Sequence, residues 1–322
     1  MKYTILGKSG LNVSRIAFGT WQLGGDWGPT DPIAAMQAIR RAADKGVTFF
    51  DTAQAYGFGR SEKLLADALL LLAREELVIA TKGGLRQTGS GVVRDASPTW
   101  IRHGVDSSLQ ALGTEYIDLY QLHWPDPATP IEETAGALAS LVAEGKIRHV
   151  GVSNFDIAQM EAFSATLAVE TLQPPYHMFR RDIEESVLPY AARNDIGVLV
   201  YGPLAHGLLG GRLVSDTQFV TEDWRSKSPM FHGETFERNL RAVEQLRQLA
   251  NEQLGITLAQ LAIAWTLANS AVHVAIVGTR DPDHVDEALA AAEINLDDAV
   301  LQQINQIMVD AAPVSGPSPE SV

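Results

Sequence analysis

The chain has 322 residues, 46% of them hydrophobic, enough for one large core or two modest ones. Lys and Arg total 25 against 39 Asp and Glu, a formal net charge of −14, and with no basic run nucleic acid and anionic membrane are poor partners. Cysteine is absent, which excludes disulfides and thiolate metal sites.

The start, Met1 to Gly7, lacks the apolar stretch of a secretion signal. No uncharged apolar run approaches a membrane span, so a soluble cytoplasmic protein is expected. Residues 1–15 hold short strand-like pieces, with Ser9-Gly10 suited to a hairpin turn. Arg15 to Thr20 reads as a buried strand. Residues 32–45 have helical periodicity, with Pro32 fitted to a first turn and Gly46 to a C-cap. A strand over 47–51 follows, then a helix from Ser61 to about Ala73, a strand over 77–82 and a Gly-rich loop over 83–91. Ser97-Pro98 opens a helix to about Leu112. The alternation continues with strand 116–122, helix 131–143, strand 147–152, helix 156–166, a short strand 170–173, helix 184–194 and strand 196–201.

Strands rich in Val, Ile, Leu and Ala, alternating with amphipathic helices, predict a parallel sheet covered on both faces. Strand ends fall near Gly19, Asp51, Lys82, His123, Val152, Gln173, Tyr201 and Val277. Eight such units match a (β/α)8 barrel. The competing doubly wound sheet lacks its G-x-G-x-x-G after the first strand. The expected α/β architecture is therefore a single barrel domain over 1–322 with an N-terminal β-hairpin. After strand seven comes an insertion, a loop over 202–233 and helical stretches over 234–253 and 257–268, suited to a lid or cofactor clamp. Residues 297–310 read as a closing helix, and the tail over 311–322 as flexible.

Three strand ends finish in ionisable groups. Asp51 follows the apolar run Val47 to Phe50, with Tyr56 five residues on beside Gly57; Lys82 ends Leu77 to Thr81; His123 ends Ile117 to Leu122. Strand carboxyl ends converge on one face of such a barrel, so Asp51, Tyr56, Lys82 and His123 would form a proton-transfer site. Taken singly each has an ordinary role: a helix-capping Asp, a rim Lys, a core His, a packed Tyr. Four at matching strand ends are harder to explain that way.

Gly19-Thr20-Trp21, Asp51-Thr52-Ala53-x-x-Tyr56-Gly57, Ala80-Thr81-Lys82, Gln121-Leu122-His123, Gly151-Val152-Ser153-Asn154-Phe155 and Gln173 resemble the aldo-keto reductase superfamily over about residues 3–310. Gly24-Gly25-x-Trp27 and His123-Trp124-Pro125-Asp126 are similar to the bacterial general-stress-protein branch, itself related to potassium-channel beta subunits. The resemblance implies reversible NADP(H)-dependent reduction of a small carbonyl compound, or oxidation of an alcohol. Tyr56 would give the carbonyl oxygen its proton. A free tyrosine, with a pKa of about 10, is a weak acid at neutral pH, and an ammonium at Lys82 would stabilise the phenolate. Asp51 would pair with Lys82, and His123 would orient the carbonyl oxygen. The cofactor carries the hydride.

The resemblance also implies the cofactor contacts. Ser153, Asn154 and Gln173 would hold the nicotinamide carboxamide, although Asn154 could instead cap the helix starting near Asp156. Tyr201 would stack on the ring, and Gly19, Thr20 and Trp21 would line it. Gly202, Pro203, Leu204, Gly207 and Leu209 belong to a segment crossing the pyrophosphate, where glycines let the backbone approach. Gly278, Thr279 and Arg280 would form the 2′-phosphate loop, with Arg280 matching the phosphate geometry. His284 stands where many members have Arg or Gln, and Ala288 where many have Asn; Asp281 and Asp283 add negative charge. NADP(H) is expected ahead of NAD(H). Trp21, Trp27 and Trp124 would wall the substrate pocket, with Phe58 and Trp224 unplaced. No His spacing suggests a metal, and a monomer or weak homo-oligomer is expected. Two alternatives stand beside the reductase: an NADP(H)-binding, redox-sensing regulatory subunit with little turnover, and an aldolase using Lys82 as a Schiff-base amine.

Overall fold

The structure, a computed structural model, describes residues 1–25, 27–28 and 30–314. Strands β1 (Tyr3–Ile5) and β2 (Asn12–Ser14) form an antiparallel hairpin. Its turn is a 3-10 segment closed by Gly10 in the left-handed region at φ 70°. The chain then lays down β3 (Ile16–Gly19), α1 (Pro32–Asp44), β4 (Phe49–Asp51), α2 (Arg60–Leu69) and β5 (Val78–Gly83). A second hairpin, β6 (Leu85–Thr88) and β7 (Gly91–Arg94), precedes α3 (Pro98–Leu112) and β8 (Ile117–Leu122). Next come α4 (Ile131–Ala143), β9 (Ile147–Ser153), α5 (Ile157–Ser164), β10 (Thr171–Gln173), α6 (Val187–Arg193) and β11 (Gly197–Tyr201). The last elements are α7 (Gly233–Gln248), α8 (Leu258–Ala268), β12 (Val274–Val277), α9 (Asp283–Ala290) and α10 (Asp298–Met308).

Strands β3, β4, β5, β8, β9, β10, β11 and β12 close into a parallel barrel, β12 pairing with β3 through Ala275 to Val277 against Ile16 to Phe18. Capping fixes the helix starts. The Asp31 side chain accepts the amides of Ile33 and Ala34 ahead of Pro32, Ser97 accepts that of Trp100, and Asp156 and Thr257 form capping boxes with Gln159 and Gln260. Among the described residues no helix is long and apolar enough to cross a membrane.

Two apolar layers hold the fold. The larger lies between barrel wall and helices. The smaller fills the barrel with Ala17, Phe49, Ala80, Leu119, Leu199 and Val274, capped by Leu6 and Val13 of the first hairpin. That hairpin seats tightly: a Cβ on Gly7 would lie 2.3 Å from the Gly197 amide nitrogen. One mouth is thus plugged with hydrocarbon, and the polar strand ends collect at the other.

Several expectations give way to detail. The Gly-rich stretch after β5 is the β6–β7 hairpin, turning at Gly89-Ser90; its polar Arg86 and Gln87 hid the alternation. The second helix ends at Leu69, leaving Leu70 and Leu71 exposed, because a run of leucines mimics helical periodicity past the true end. The helix expected over 184–194 is a 3-10 turn, Asp182–Glu184, followed by α6. The stretch 234–253 is α7 running into a π-helical turn, Leu249–Leu254. Of the tail expected to be flexible, Ala311 to Val314 are tied down: the Val314 amide donates to the Phe179 carbonyl at 2.7 Å and the Ala312 amide to Asn239 Oδ1 at 2.8 Å. The remainder, 315–322, lies outside the described residues.

Candidate active site

Strand register sets the polar mouth. Asp51 pairs across from Ala80, Lys82 from Gln121, and Gln173 from Ser153. Side chains alternate along a strand, so Asp51 shares the interior face with Phe49, and Lys82 with Ala80. The Lys82 ammonium, fully buried, donates to Asp51 Oδ1 at 2.6 Å, to the Thr52 carbonyl at 2.9 Å and to the Tyr56 phenol oxygen at 3.3 Å. Burying two charges is costly unless each is bonded all round. That condition is met: Asp51 Oδ2 accepts from Gln173 Nε2 at 2.9 Å and from Gln121 Nε2 at 3.4 Å.

Tyr56 reaches the ammonium from its loop. The Gly59 amide bonds back to the Gln54 carbonyl at 3.0 Å, and Gly57 turns the chain at φ 69°. The Gly24 loop packs so closely on the Tyr56 backbone that a Cβ there would lie 2.9 Å from it. The His123 ring stands edge-on to the Tyr56 ring, centroids 5.8 Å apart at 82°. The four residues singled out from strand ends therefore meet in one place.

Beside them Asn154 adopts a left-handed backbone at φ 61°, and Asp156, not Asn154, caps α5. The Asn154 amide donates to Ser153 Oγ and to the His123 carbonyl, each at 3.1 Å, and its Oδ1 accepts from the Tyr201 hydroxyl at 2.9 Å. Ser153 Oγ donates to the Gln173 carbonyl at 2.8 Å.

A cleft of about 390 Å³ opens from this mouth. Asp51, Tyr56, Gln173 and Tyr201 line its inner end with Gly19, Thr20, Trp21 and Trp27. Gly202, Pro203, Leu204 and Gly207 form one side, and Gly278, Thr279, Arg280 and His284 the other. It runs into a second hollow of about 370 Å³ that shares Arg280 and His284 and reaches Ala288. Ser153, Asn154, Lys82 and His123 adjoin these residues: Lys82 bonds Tyr56, His123 packs on it, and Asn154 bonds both Ser153 and Tyr201. Leu209 is fully buried in the outer apolar layer. Trp124 is buried under the Arg94 guanidinium, which lies 4.9 Å from its ring centroid. Phe58 is half-exposed on the Tyr56 loop.

Sequence reasoning left Arg212, Arg225 and His206 without a role and Trp224 without a place. Arg212 follows the Gly-rich segment directly, a usable signal; its guanidinium contacts the His284 ring across the cleft. Trp224 and Arg225 sit in the insertion, in a 3-10 turn of one repeat that no periodicity announces. Trp224 stacks on Trp21 at 6.1 Å and 16°, and Trp21 stacks in turn on Tyr56 at 6.5 Å. Arg225 lies 4.8 Å over the Trp27 ring and forms a fork with Asp223, the shortest bond 2.6 Å. Burial works against the Asp223 charge, but bonds from Arg225 and the charges of Arg225 and Arg280 hold its carboxyl below the usual range. Arg280 donates to the Trp27 carbonyl at 3.1 Å.

A family model described as the aldo/keto reductase family matches residues 15–309. Among curated proteins the chain is similar to aldo-keto reductase YhdN of Bacillus subtilis, 42% identical over 96% of this chain and 94% of that one. It is similar also to the NADH-specific methylglyoxal reductase of Escherichia coli, 35% identical over 93% and 96%. Among solved structures it resembles the glycerol dehydrogenase AKR11B4 of Gluconobacter oxydans, TM-score 0.87, 38% identical over 96% and 95%.

Proposed function

The chain belongs to the aldo/keto reductase family, an oxidoreductase family, and from that premise we propose that it reduces aldehydes or ketones to alcohols with NADP(H), Tyr56 giving the proton. The observation that carries this reading is the Lys82 ammonium, bonded at once to Asp51 and to the Tyr56 phenol oxygen at the mouth of a long cleft.

The donor set fits a nicotinamide dinucleotide. Guanidiniums of Arg212, Arg225 and Arg280 gather at one end of a cleft in a chain of net charge −14, where anionic phosphates would otherwise be repelled. Gly202 and Gly207, both at positive φ, let backbone amides come close. Ser153, Asn154 and Gln173 offer a carboxamide both donors and acceptors, and the Asn154 bond to Tyr201 fixes the Tyr201 ring as a stacking face. A bound cofactor supplies the hydride.

The chain's own residues manage the oxygen. The ammonium donates into the Tyr56 oxygen, so the phenol keeps its own hydrogen to give to a carbonyl at the mouth. As negative charge builds on the carbonyl oxygen, Tyr56 passes it that proton, and the resulting phenolate is stabilised by the ammonium beside it. Asp51 balances the ammonium and keeps it aimed. His123, edge-on to Tyr56, would bond the carbonyl oxygen and orient it. Trp21, Trp27 and Trp224 give the opening an aromatic wall suited to an uncharged organic carbonyl.

NADP(H) is favoured by Arg280, Arg212 and His284 at the far end; Asp281 opposes it, and one relative is named for NADH. Turnover of 4-nitrobenzaldehyde and methylglyoxal with each cofactor tests the reading. Oxidation of NADPH with either substrate is expected. Bound NADPH with no consumption across a carbonyl panel would overturn the reductase in favour of a sensing subunit. Arg280→Ala should raise the KM for NADPH about tenfold or more and that for NADH about twofold at most; equal losses would place the 2′-phosphate contact elsewhere.

A further inference from the structure

Behind the proton-transfer residues, on the outer side of the barrel wall, lies a closed polar cluster that the mechanism above does not use. Glu62, in the first turn of α2, is fully buried. Its Oε1 accepts from the Thr81 hydroxyl at 2.6 Å, while its Oε2 has no hydrogen-bond partner among the described residues. Among the other buried atoms in that condition are Gln54 Oε1 on the Tyr56 loop, Ser108 Oγ on α3 and Tyr120 Oη on β8. They converge. A Cβ on Gly104 would lie 3.0 Å from Tyr120 Oη and 3.2 Å from Gln54 Oε1, and Ser108 is one turn further along the same helix. Burial pushes the Tyr120 phenol up, and the Glu62 charge adds to it. Burial likewise pushes the Glu62 carboxyl up, against Thr81, the nearby Ser108 hydroxyl and the Lys82 charge. Gln54 Oε1 is a pure acceptor, whereas the Ser108 and Tyr120 hydroxyls can each donate.

The cluster touches both sides of the proton-transfer contact. Thr81 precedes Lys82 on β5 and points to the opposite face. Gln54 lies two residues before Tyr56, and its backbone N–H donates to the Lys82 carbonyl at 3.0 Å. The Lys82–Tyr56 bond itself is 3.3 Å, at the long end of useful geometry, where a few tenths of an ångström decide whether it exists.

We propose that Glu62 is a positioning residue for the proton transfer: from behind the wall, through Thr81 and the Gln54–Ser108–Tyr120 group, it fixes the loop bearing Tyr56 against the strand bearing Lys82. This rests on the assignment of Tyr56 as proton donor. If the cluster only pinned α2 to the barrel, its loss would lower thermal stability and leave the Tyr56 phenol as it was.

The test compares Glu62→Gln, which keeps an acceptor for Thr81 and a polar group on the other arm, with Glu62→Leu, which keeps volume only. With NADPH and 4-nitrobenzaldehyde, Glu62→Gln should hold kcat within about threefold, while Glu62→Leu loses about tenfold or more in kcat with both KM values within about threefold. The second readout needs no turnover. The Tyr56 phenolate is titrated by ultraviolet difference against the matching Tyr56→Phe protein, and its midpoint should rise by about one pH unit in Glu62→Leu and stay in place in Glu62→Gln. A wild-type protein that consumes no NADPH would defeat the reductase reading, yet the titration would still decide the positioning. Gln54→Met, a near-isosteric cut between the cluster and the loop, carries the same expectation should Glu62→Leu not fold. Glu62→Leu or Gln54→Met, folded and with both kcat and the Tyr56 midpoint at wild-type values, would overturn the proposal.

Discussion

Lys82 shows how a single side chain can be decided by its neighbours' smallest features. β5 runs through Gly83, where a Cβ would stand 1.9 Å from the Tyr120 hydroxyl. Both partners are fixed in adjacent strands, so Gly83→Ala should cost about 1–3 kcal/mol or more in stability, read by chemical denaturation. Tyr120→Phe removes the hydroxyl and should recover part of that loss in the double variant; strictly additive losses would mean the clash lies elsewhere. At this scale the sequence was informative where chemistry and position coincide. Asp51, Lys82 and His123 end apolar strands, and Tyr56 follows on a glycine turn. Gln121 stood in the same motif, but its bond to Asp51 Oδ2 depends on the β4–β5–β8 register, which no local pattern encodes.

The insertion after β11 is the element that shapes the cleft. It holds three short 3-10 segments, Ala205–Gly210, Trp224–Lys227 and Pro229–Phe231. The Asp223–Arg225 fork pins the middle one so that Trp224 stacks on Trp21 and Arg225 covers Trp27. Trp224→Ala should speed NADPH release about tenfold while the rate of the chemical step changes little, as stopped-flow fluorescence would record; an unchanged release rate would mean the segment does not clamp. The sequence placed an insertion here from the spacing between strands alone. Its content was hidden because segments of three to six residues carry no period. The β6–β7 hairpin was hidden for a related reason: Arg86 and Gln87 are adjacent and polar, Val92 and Val93 adjacent and apolar, so neither strand alternates.

For the molecule as a whole, the barrel was legible because eight apolar runs of similar length alternate with amphipathic helices. The closure of β12 on β3 and the hairpin plug were not, since both join parts far apart in sequence. The same burial creates an acid sensitivity. His177 is buried with both ring nitrogens unbonded among the described residues, and burial, then the charges of His206 and Arg180, hold its pKa well below the ordinary value. His273 is depressed too, chiefly by burial. A His whose folded pKa lies below its unfolded value of about 6.5 leaves stability intact above that pH and removes it as pH falls toward the folded value. Tm should therefore decline from about pH 6.5 downward, and His177→Asn should flatten that decline; an unaltered slope would assign it to other groups.

The fold's consequence for chemistry is that strand ends far apart in sequence bring one phenol to one ammonium. The most direct test is Tyr56→Phe, measured for NADPH binding and for turnover of 4-nitrobenzaldehyde. NADPH affinity should stay within about threefold while kcat falls about 10²–10⁴-fold. A Tyr56→Phe protein that binds NADPH and keeps kcat within about tenfold of wild type would contradict the assignment.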